Sequence, residues 1–464
     1  MRWWSDLRMA VPVWSGVALV VFCVQVSVMV TALVMGSALR AASTLTARAR
    51  DQAASVSEIV GAVGSILAIV TVVVVLVTVG TAVSSRRAQI ALWLLLGATP
   101  GQVVRMVMTQ VVFVTVVVSV PAAVSASALL TPALDLVARS GVGPADPLSG
   151  VVTAPPLVIA CGISVLLAVL GAWRSATAAG RLSPVEALRA GRGAPSPVGA
   201  LTVVRYGSAI IPLGLAMLLA STIVTPRDQG ALVTTPLFVL LLTQVFFALV
   251  APALLPKVVW IWTRLPLPSA AWVVARETSV SRSARLTGTI TPLALCIALV
   301  VGALTVAGTL TSTVEMFTPV AGDGLTTRPE VASMILVFGL PTLVAGGGAL
   351  GSMVIAARSR ALDLALPRLV GASPSQTWWQ AFFEGVILIV TALVIGTLCV
   401  SAALVTQTVG LVRWYGGVAL EIPWVLLVVL GVILSLLGGT LTAATSRGAR
   451  TRPPHRVIAE LVGE

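Results

Sequence analysis

Glu384 stands in the apolar stretch WWQAFFEGV, roughly two turns into a run long enough to be a membrane span. Inserting a carboxylate there costs about 2.5–3.5 kcal/mol, so such a residue needs either a purpose or an escape to water. Two readings stand: Glu384 pairs with an arginine or biases a conformational change, or it reaches the membrane interface and stays wet. Its counterpart in an earlier copy of the same pattern is Gln110, also polar. Glu58, at the outer edge of another run, reads as exposed. Little else here could do chemistry. Cys23, Cys161, Cys296 and Cys399 fall in four different apolar runs, with no CxxC spacing for a metal and no pairing between exposed loops. The single histidine, His455, lies in a basic tail without clustered partners. A phosphate-cradling loop needs glycines ending in lysine, and the one lysine, Lys257 in LLPKVVW, has no such setting. No Gly-x-Ser-x-Gly elbow and no Cys/His pair occurs. The chain therefore reads as a non-catalytic protein with no catalytic, cofactor-binding or metal-ligating residue of its own.

The elements that carry these residues belong in a bilayer. The 464-residue chain is 58% hydrophobic and only 10% charged, more apolar than soluble domains usually are. Ten runs are long enough to span about 30 Å of hydrocarbon, at roughly 20 helical residues each. They lie near 11–39, 58–83, 103–130, 151–173, 200–224, 231–262, 286–312, 330–357, 376–405 and 422–446. The first lacks a small-residue cleavage site and reads as a retained span. Arginine concentrates in the segments that face the cytoplasm if the N-terminus lies inside, and tryptophan clusters near the same ends. Both termini are thus expected in the cytoplasm. The net charge of +13 follows from this topology and from attraction to anionic inner-leaflet lipid, so it does not point to nucleic acid. The outer loops are too short for a folded extracellular domain of typical size. Residues 40–57 read as a plain solvated loop in preference to helical extensions.

One stretch recurs. SRRAQIALWLLLGATPGQVVRMVMTQ, residues 85–110, returns 274 positions later as SRALDLALPRLVGASPSQTWWQAFFE, residues 359–384. Each copy follows a long apolar run, opens on arginine (Arg86, Arg360) and carries a leucine-rich segment closed by glycine. Gly97 and Gly371 suit the left-handed position after a helix ends, while Thr99 and Ser373 suit the N-cap of the next. Pro100 and Pro374 then fall at the first helical position, and Gln102 and Gln376 complete a capping box. A short helix stops and a new one starts, twice.

This repetition organises the chain. Spans one to four and seven to ten form two copies of one unit, with two spans between them. Six spans separate corresponding points, so the copies run parallel and both corners face one side; inverted transporter repeats would oppose them. The expected architecture is an all-α integral membrane protein of ten transmembrane helices, two parallel four-helix repeats plus two intervening helices. Its boundaries are 1–190 for the first repeat, 191–270 for a linker with the intervening pair, and 271–464 for the second repeat. The Gly/Pro-rich AGRGAPSPVG, residues 190–199, marks the linker. Pro341, followed by Gly346, Gly347, Gly348 and Gly351, reads either as a hinge or as a small-residue packing face, the latter favoured.

At the two corners the chain resembles the FtsX-like permeases, membrane subunits of ABC transporters that include MacB- and BceB-like exporters. The family's RR-x-E-I-x-L-x-x-x-x-G-A-T/S segment stands here as Arg86-Arg87-Ala88-Gln89-Ile90-Ala91-Leu92 through Gly97-Ala98-Thr99. It stands again as Arg360-Ala361-Leu362-Asp363-Leu364-Ala365-Leu366 through Gly371-Ala372-Ser373. The stretch 184–189, PVEALR, is similar to the family's unit terminus. The resemblance implies a separate ABC-type ATPase, as a dimer, docking on Arg86, Arg87, Ile90, Leu94, Gly97, Thr99, Arg360, Leu364, Arg368, Gly371 and Ser373. ATP would be bound by that partner, with no cofactor in this chain. Expected placement is the cell membrane, among lipids, with no nucleic-acid partner. Function would be mechanotransmission to an amphipathic substrate, an antimicrobial peptide or a lipid. The alternatives are an FtsX-type signalling subunit acting on an extracytoplasmic accessory protein and, less favoured, a secondary transporter. The chain departs from BceB-like members in lacking a large outer domain between spans seven and eight, and from MacB in lacking one between spans one and two.

Overall fold

The computed structural model describes residues 11–44, 47–140, 150–180, 200–223, 231–264, 269–281, 283–317, 331–369 and 371–445. The repeat terminus at 184–189, the linker at 190–199 with the boundary at 190, and His455 lie outside these residues. The described part is all-helical: α1 (Val11–Thr44), α2 (Ala47–Ser85), α3 (Arg87–Leu95), α4 (Pro100–Arg139), α5 (Ala154–Gly180) and α6 (Ala200–Thr222) come first. They are followed by α7 (Ala231–Trp262), α8 (Ala270–Ser281), α9 (Ser283–Phe317), α10 (Val331–Leu369), α11 (Pro374–Tyr415) and α12 (Trp424–Thr445). Among the described residues, nine helices are long and apolar enough to cross a membrane, against the ten runs expected. The remaining one, α6, offers a shorter apolar stretch, Tyr206–Thr222.

Two expectations about helix extent are corrected. Residues 40–44 and 47–57 are helical: α1 continues to Thr44 and α2 begins at Ala47, so both extend past the apolar runs. Alanine supplies much of that segment, and it is the residue that gives up least on entering a helix. An additional helix, α8, occupies what read as an inner connection. Its Trp272 is 4% exposed and packs edge-on against Trp262 and Phe383.

The core is built from close approaches of apolar helices. Helices α1 and α5 pack on each other and on both α2 and α4, α9 packs on α10 and α11, and α10 packs against both α1 and α2. Small residues let α10 settle there. A Cβ on Gly351 would stand 2.5 Å from the Gly16 carbonyl oxygen, and one on Gly347 would stand 2.6 Å from Cys23 Sγ. Ser27 Oγ donates to the Leu340 carbonyl at 3.4 Å. Gly347, Gly348 and Gly351 therefore serve packing, and α10 continues through the proline. Contacts rise along α1 as they descend along α10, so these two helices are antiparallel. Since α1 and α2 form a hairpin, α2 and α10 run the same way. A Cβ on Gly348 would collide with Val74, and these two positions are 274 apart, the sequence repeat. Equivalent residues thus meet across a local two-fold relation.

Buried amides join helices in ways the sequence did not advertise. Gln25 Nε2 donates to the Thr115 carbonyl at 2.9 Å, and Gln407 Nε2 to that of Val306 at 2.6 Å. Gln244 donates to the Thr291 carbonyl while its Oε1 accepts from Cys399 Sγ at 2.8 Å. In an apolar medium such bonds contribute about 0.6–2 kcal/mol each.

The two sets of helices close differently. In the first, α5 seats on α1, α2 and α4. In the second, α12 packs against α11 and makes no comparable contact with α9 or α10, whereas α7 leans on α9 and α11.

Candidate functional site

The first corner begins where two serines undercut a helix. Ser84 Oγ and Ser85 Oγ donate to the carbonyls of Thr81 and Ala82, three residues back, and such bonds compete with the helix ladder. α2 ends at Ser85 and the chain turns at Arg86 into α3. Arg86 Nε donates to Gln89 Oε1 at 3.0 Å, and its guanidinium sits 5.6 Å from the centroid of the Trp93 ring. Ile90 is 3% exposed and packs with Val103 and Ala179, with Leu94 partly buried beside them. That contact clamps α3 onto α4 and α5. The opposite face is bare: Leu92, Leu95 and Leu96 are 51%, 54% and 80% exposed.

The punctuation expected at the corners is present in both. Gly97 has φ +93° and Gly371 φ +101°. After α3 the Gly97 amide donates to the Leu94 carbonyl and the Ala98 amide to that of Trp93, the two reversed bonds of a Schellman ending. A Cβ on either glycine would meet nothing within 4 Å, so positive φ, not crowding, demands glycine there. Thr99 Oγ1 accepts from the Gln102 amide at 3.3 Å while the Thr99 amide donates to Gln102 Oε1 at 2.9 Å. Ser373 and Gln376 repeat the exchange at 3.2 and 2.9 Å. Pro100 and Pro374 open α4 and α11.

Because α2 and α10 run the same way, both corners lie at one end of the bundle. Gly97, Thr99, Pro100, Gly371 and Pro374 are exposed, with Ser373 half-buried. Trp379 is 48% exposed beside the second corner and stacks on Phe383. The copies differ in their approach: α10 runs unbroken to Leu369, so the expected separate short helix exists only in the first. The side chains of Arg87, Arg360, Leu364 and Arg368 lie outside those the structure describes.

The two intramembrane candidates diverge. Gln110 is 1% exposed, and neither its amide oxygen nor its nitrogen has a hydrogen-bond partner among the described residues. It lines a small cavity under α3 with Trp14, Arg86, Ile90 and Trp93. Glu384 is half-buried and accepts from Gln380 Nε2 at 3.1 Å, one turn nearer the corner. Sequence reasoning missed Leu92, Leu95 and Leu96. Their i, i+3, i+4 spacing was the signal, because Ile90 and Leu94 occupy the alternate face.

Among the described residues the two corners are exposed, with no reactive group beside them. Residues 61–184, from the membrane part of α2 through α5, match the family model described as FtsX-like permease C-terminal. No curated protein matches the chain. The match encloses the Arg86–Thr99 corner and its capping box, so this part of the chain is similar to the C-terminal domain of FtsX-like permeases.

Proposed function

We propose that this chain couples a separate ATPase dimer to the export or extraction of an amphipathic peptide or lipid from the cell membrane, with both termini cytoplasmic. The observation that carries this reading is the pair of exposed, glycine-broken corners at one end of the bundle, one of them bearing the bare leucines of α3. Each corner receives one ATPase subunit, and ATP stays in the partner. Thr99 and Ser373 hold the first turns of α4 and α11 rigid, so that force applied at a corner travels along a helix of about 40 residues. Ile90 acts as the anchor that prevents α3 from peeling away under load. Exposed α3 leucines suit a partner groove with apolar walls, where burying each contributes about 1.5–3 kcal/mol. The two corners belong to two repeats, residues 1–190 and 271–464, joined by the 191–270 segment. Co-expression with ATPases encoded nearby, followed by affinity purification in lipid, tests the assignment. An ATPase that co-purifies and hydrolyses ATP faster with the permease supports it; permease activity that proceeds without any ATPase overturns it.

A further inference from the structure

The last helix of each four-helix set uses the same residues on different partners. Matched at Pro156 and Pro423, α5 and α12 bring Gly171 onto Gly438 and Ser175 onto Thr442. In the first set this edge faces α2. A Cβ on Gly171 would stand 2.8 Å from Val75 Cβ and 3.1 Å from the Val72 carbonyl oxygen, and Ser175 Oγ donates to the Leu76 carbonyl at 3.1 Å. In the second set the corresponding edge faces α11. There a Cβ on Gly438 would collide with Ile389, one on Gly385 would meet the Gly438 carbonyl at 2.7 Å, and Thr442 Oγ1 donates back to Gly438.

Part of the surface that α12 would occupy by analogy is open, although Ala349, the counterpart of Val75, is already buried. Shifting Ile69, Val72, Leu76 and Gly80 of α2 by the repeat gives Leu343, Gly346, Leu350 and Val354 of α10. These four fall on one helical stripe. Leu343, Leu350 and Val354 are 42%, 51% and 45% exposed, and a Cβ on Gly346 would meet nothing within 4 Å. The register is secured in space as well as in sequence, because Val74 abuts Gly348 across the local two-fold. The chain thus contains, in its own first repeat, a demonstration of what covers this stripe.

We infer that the α10 stripe is a second seat for α12, and that the second repeat alternates between an open state, with α12 on α11, and a closed state, with the Gly438–Thr442 edge turned onto α10. Two discrete seats suit a close-packed interface, which switches between packings more readily than it deforms. In the open state the gap faces the bilayer sideways. A membrane-embedded amphipath would enter there without passing through water, and closure of α12 would displace it. The inference rests on the internal repeat and survives a change of partner.

The test is a disulfide trap. Gly80 and Ser175 adjoin in the first repeat, where a Cβ on Gly80 would stand 3.3 Å from Ser175 Oγ. The equivalent pair is Val354 and Thr442. With Cys23, Cys161, Cys296 and Cys399 replaced by alanine, the chain carrying Val354→Cys and Thr442→Cys is oxidised in lipid vesicles. This is done alone and with any co-purifying ATPase, with and without ATP, and free thiols are counted by maleimide mass-tagging. Gly80→Cys with Ser175→Cys serves as the control for folding and oxidation. We expect both thiols of the Val354/Thr442 pair to be lost in at least one condition, to an extent comparable with the control. Retention of both thiols in every condition, while the control oxidises fully, overturns the second seat. Failure of an ATPase to co-purify would count against the proposed function alone.

Discussion

The corner at residues 85–102 and the corner at 359–376 carry the same punctuation yet are approached differently. In the first, Ser84 and Ser85 bond back to carbonyls three residues earlier, and α2 gives way to the separate α3. In the second, Ala357 and Arg358 stand at the positions of Val83 and Ser84, and α10 continues to Leu369. Alanine and arginine favour helix, whereas serine offers the backbone a competing partner. The glycine, the capping box and the proline determine how the next helix starts in both copies. How the previous helix arrives depends on two or three small residues. The first corner is therefore a jointed element clamped by Ile90, and the second is the stiff end of a long rod.

If the shared punctuation is what matters, removing it from both copies has the largest effect. Gly97→Ala with Gly371→Ala forces two side chains into the left-handed region at about 1–2 kcal/mol each. ATP-driven activity should fall at least about tenfold while the protein still inserts in membranes; unchanged activity would show that the reversals are not needed. Next in size is the contrast between Gln110 and Glu384. Leaving a buried amide unsatisfied costs about 1–3 kcal/mol, so Gln110→Leu should raise the thermal unfolding midpoint. Glu384→Leu, which removes the acceptor of Gln380, should not. A lowered midpoint for Gln110→Leu would mean that its amide is satisfied by something in the working protein.

Smaller again are the caps. Thr99→Ala and Ser373→Ala should each cost about 1 kcal/mol, and the losses should add, since among the described residues the two corners adjoin separate clusters. Calorimetry of the single and double variants checks this. Smallest is an exchange of the approaches themselves. Ser84→Ala with Ser85→Ala shifts helix propensity by only a few tenths of a kcal/mol per site. Spin labels at the exposed positions Leu96 and Trp173 should then report a second distance population as α2 extends towards α3.

Much of this architecture was legible in the sequence. Apolar runs of bilayer length gave the long helices, and glycine, Thr/Ser, proline and glutamine at fixed offsets gave both corners, because each residue has one local physical reason to stand there. The continuation of α10 through Ser359 was hidden, since the repeat suggested symmetry where Ala356 and Ala357 quietly favour helix. Burial of Ile90 and exposure of Leu96 were hidden for another reason: a nine-residue helix buries whichever face its neighbours cover, and Val103 and Ala179 were not visible as neighbours. The detachment of α12 from α10 was hidden too, because an apolar helix in lipid has the same composition whether it faces a helix or acyl chains.

The most direct test is the stoichiometry of the complex by native mass spectrometry, with two ATPase copies expected per permease. Leu96→Asp at the first corner and Trp379→Asp beside the second should each reduce the occupancy to about one copy, and the two together to none, without lowering the midpoint of thermal unfolding. A complete two-ATPase complex in the double variant would contradict the claim that these corners are where the ATPases hold the protein.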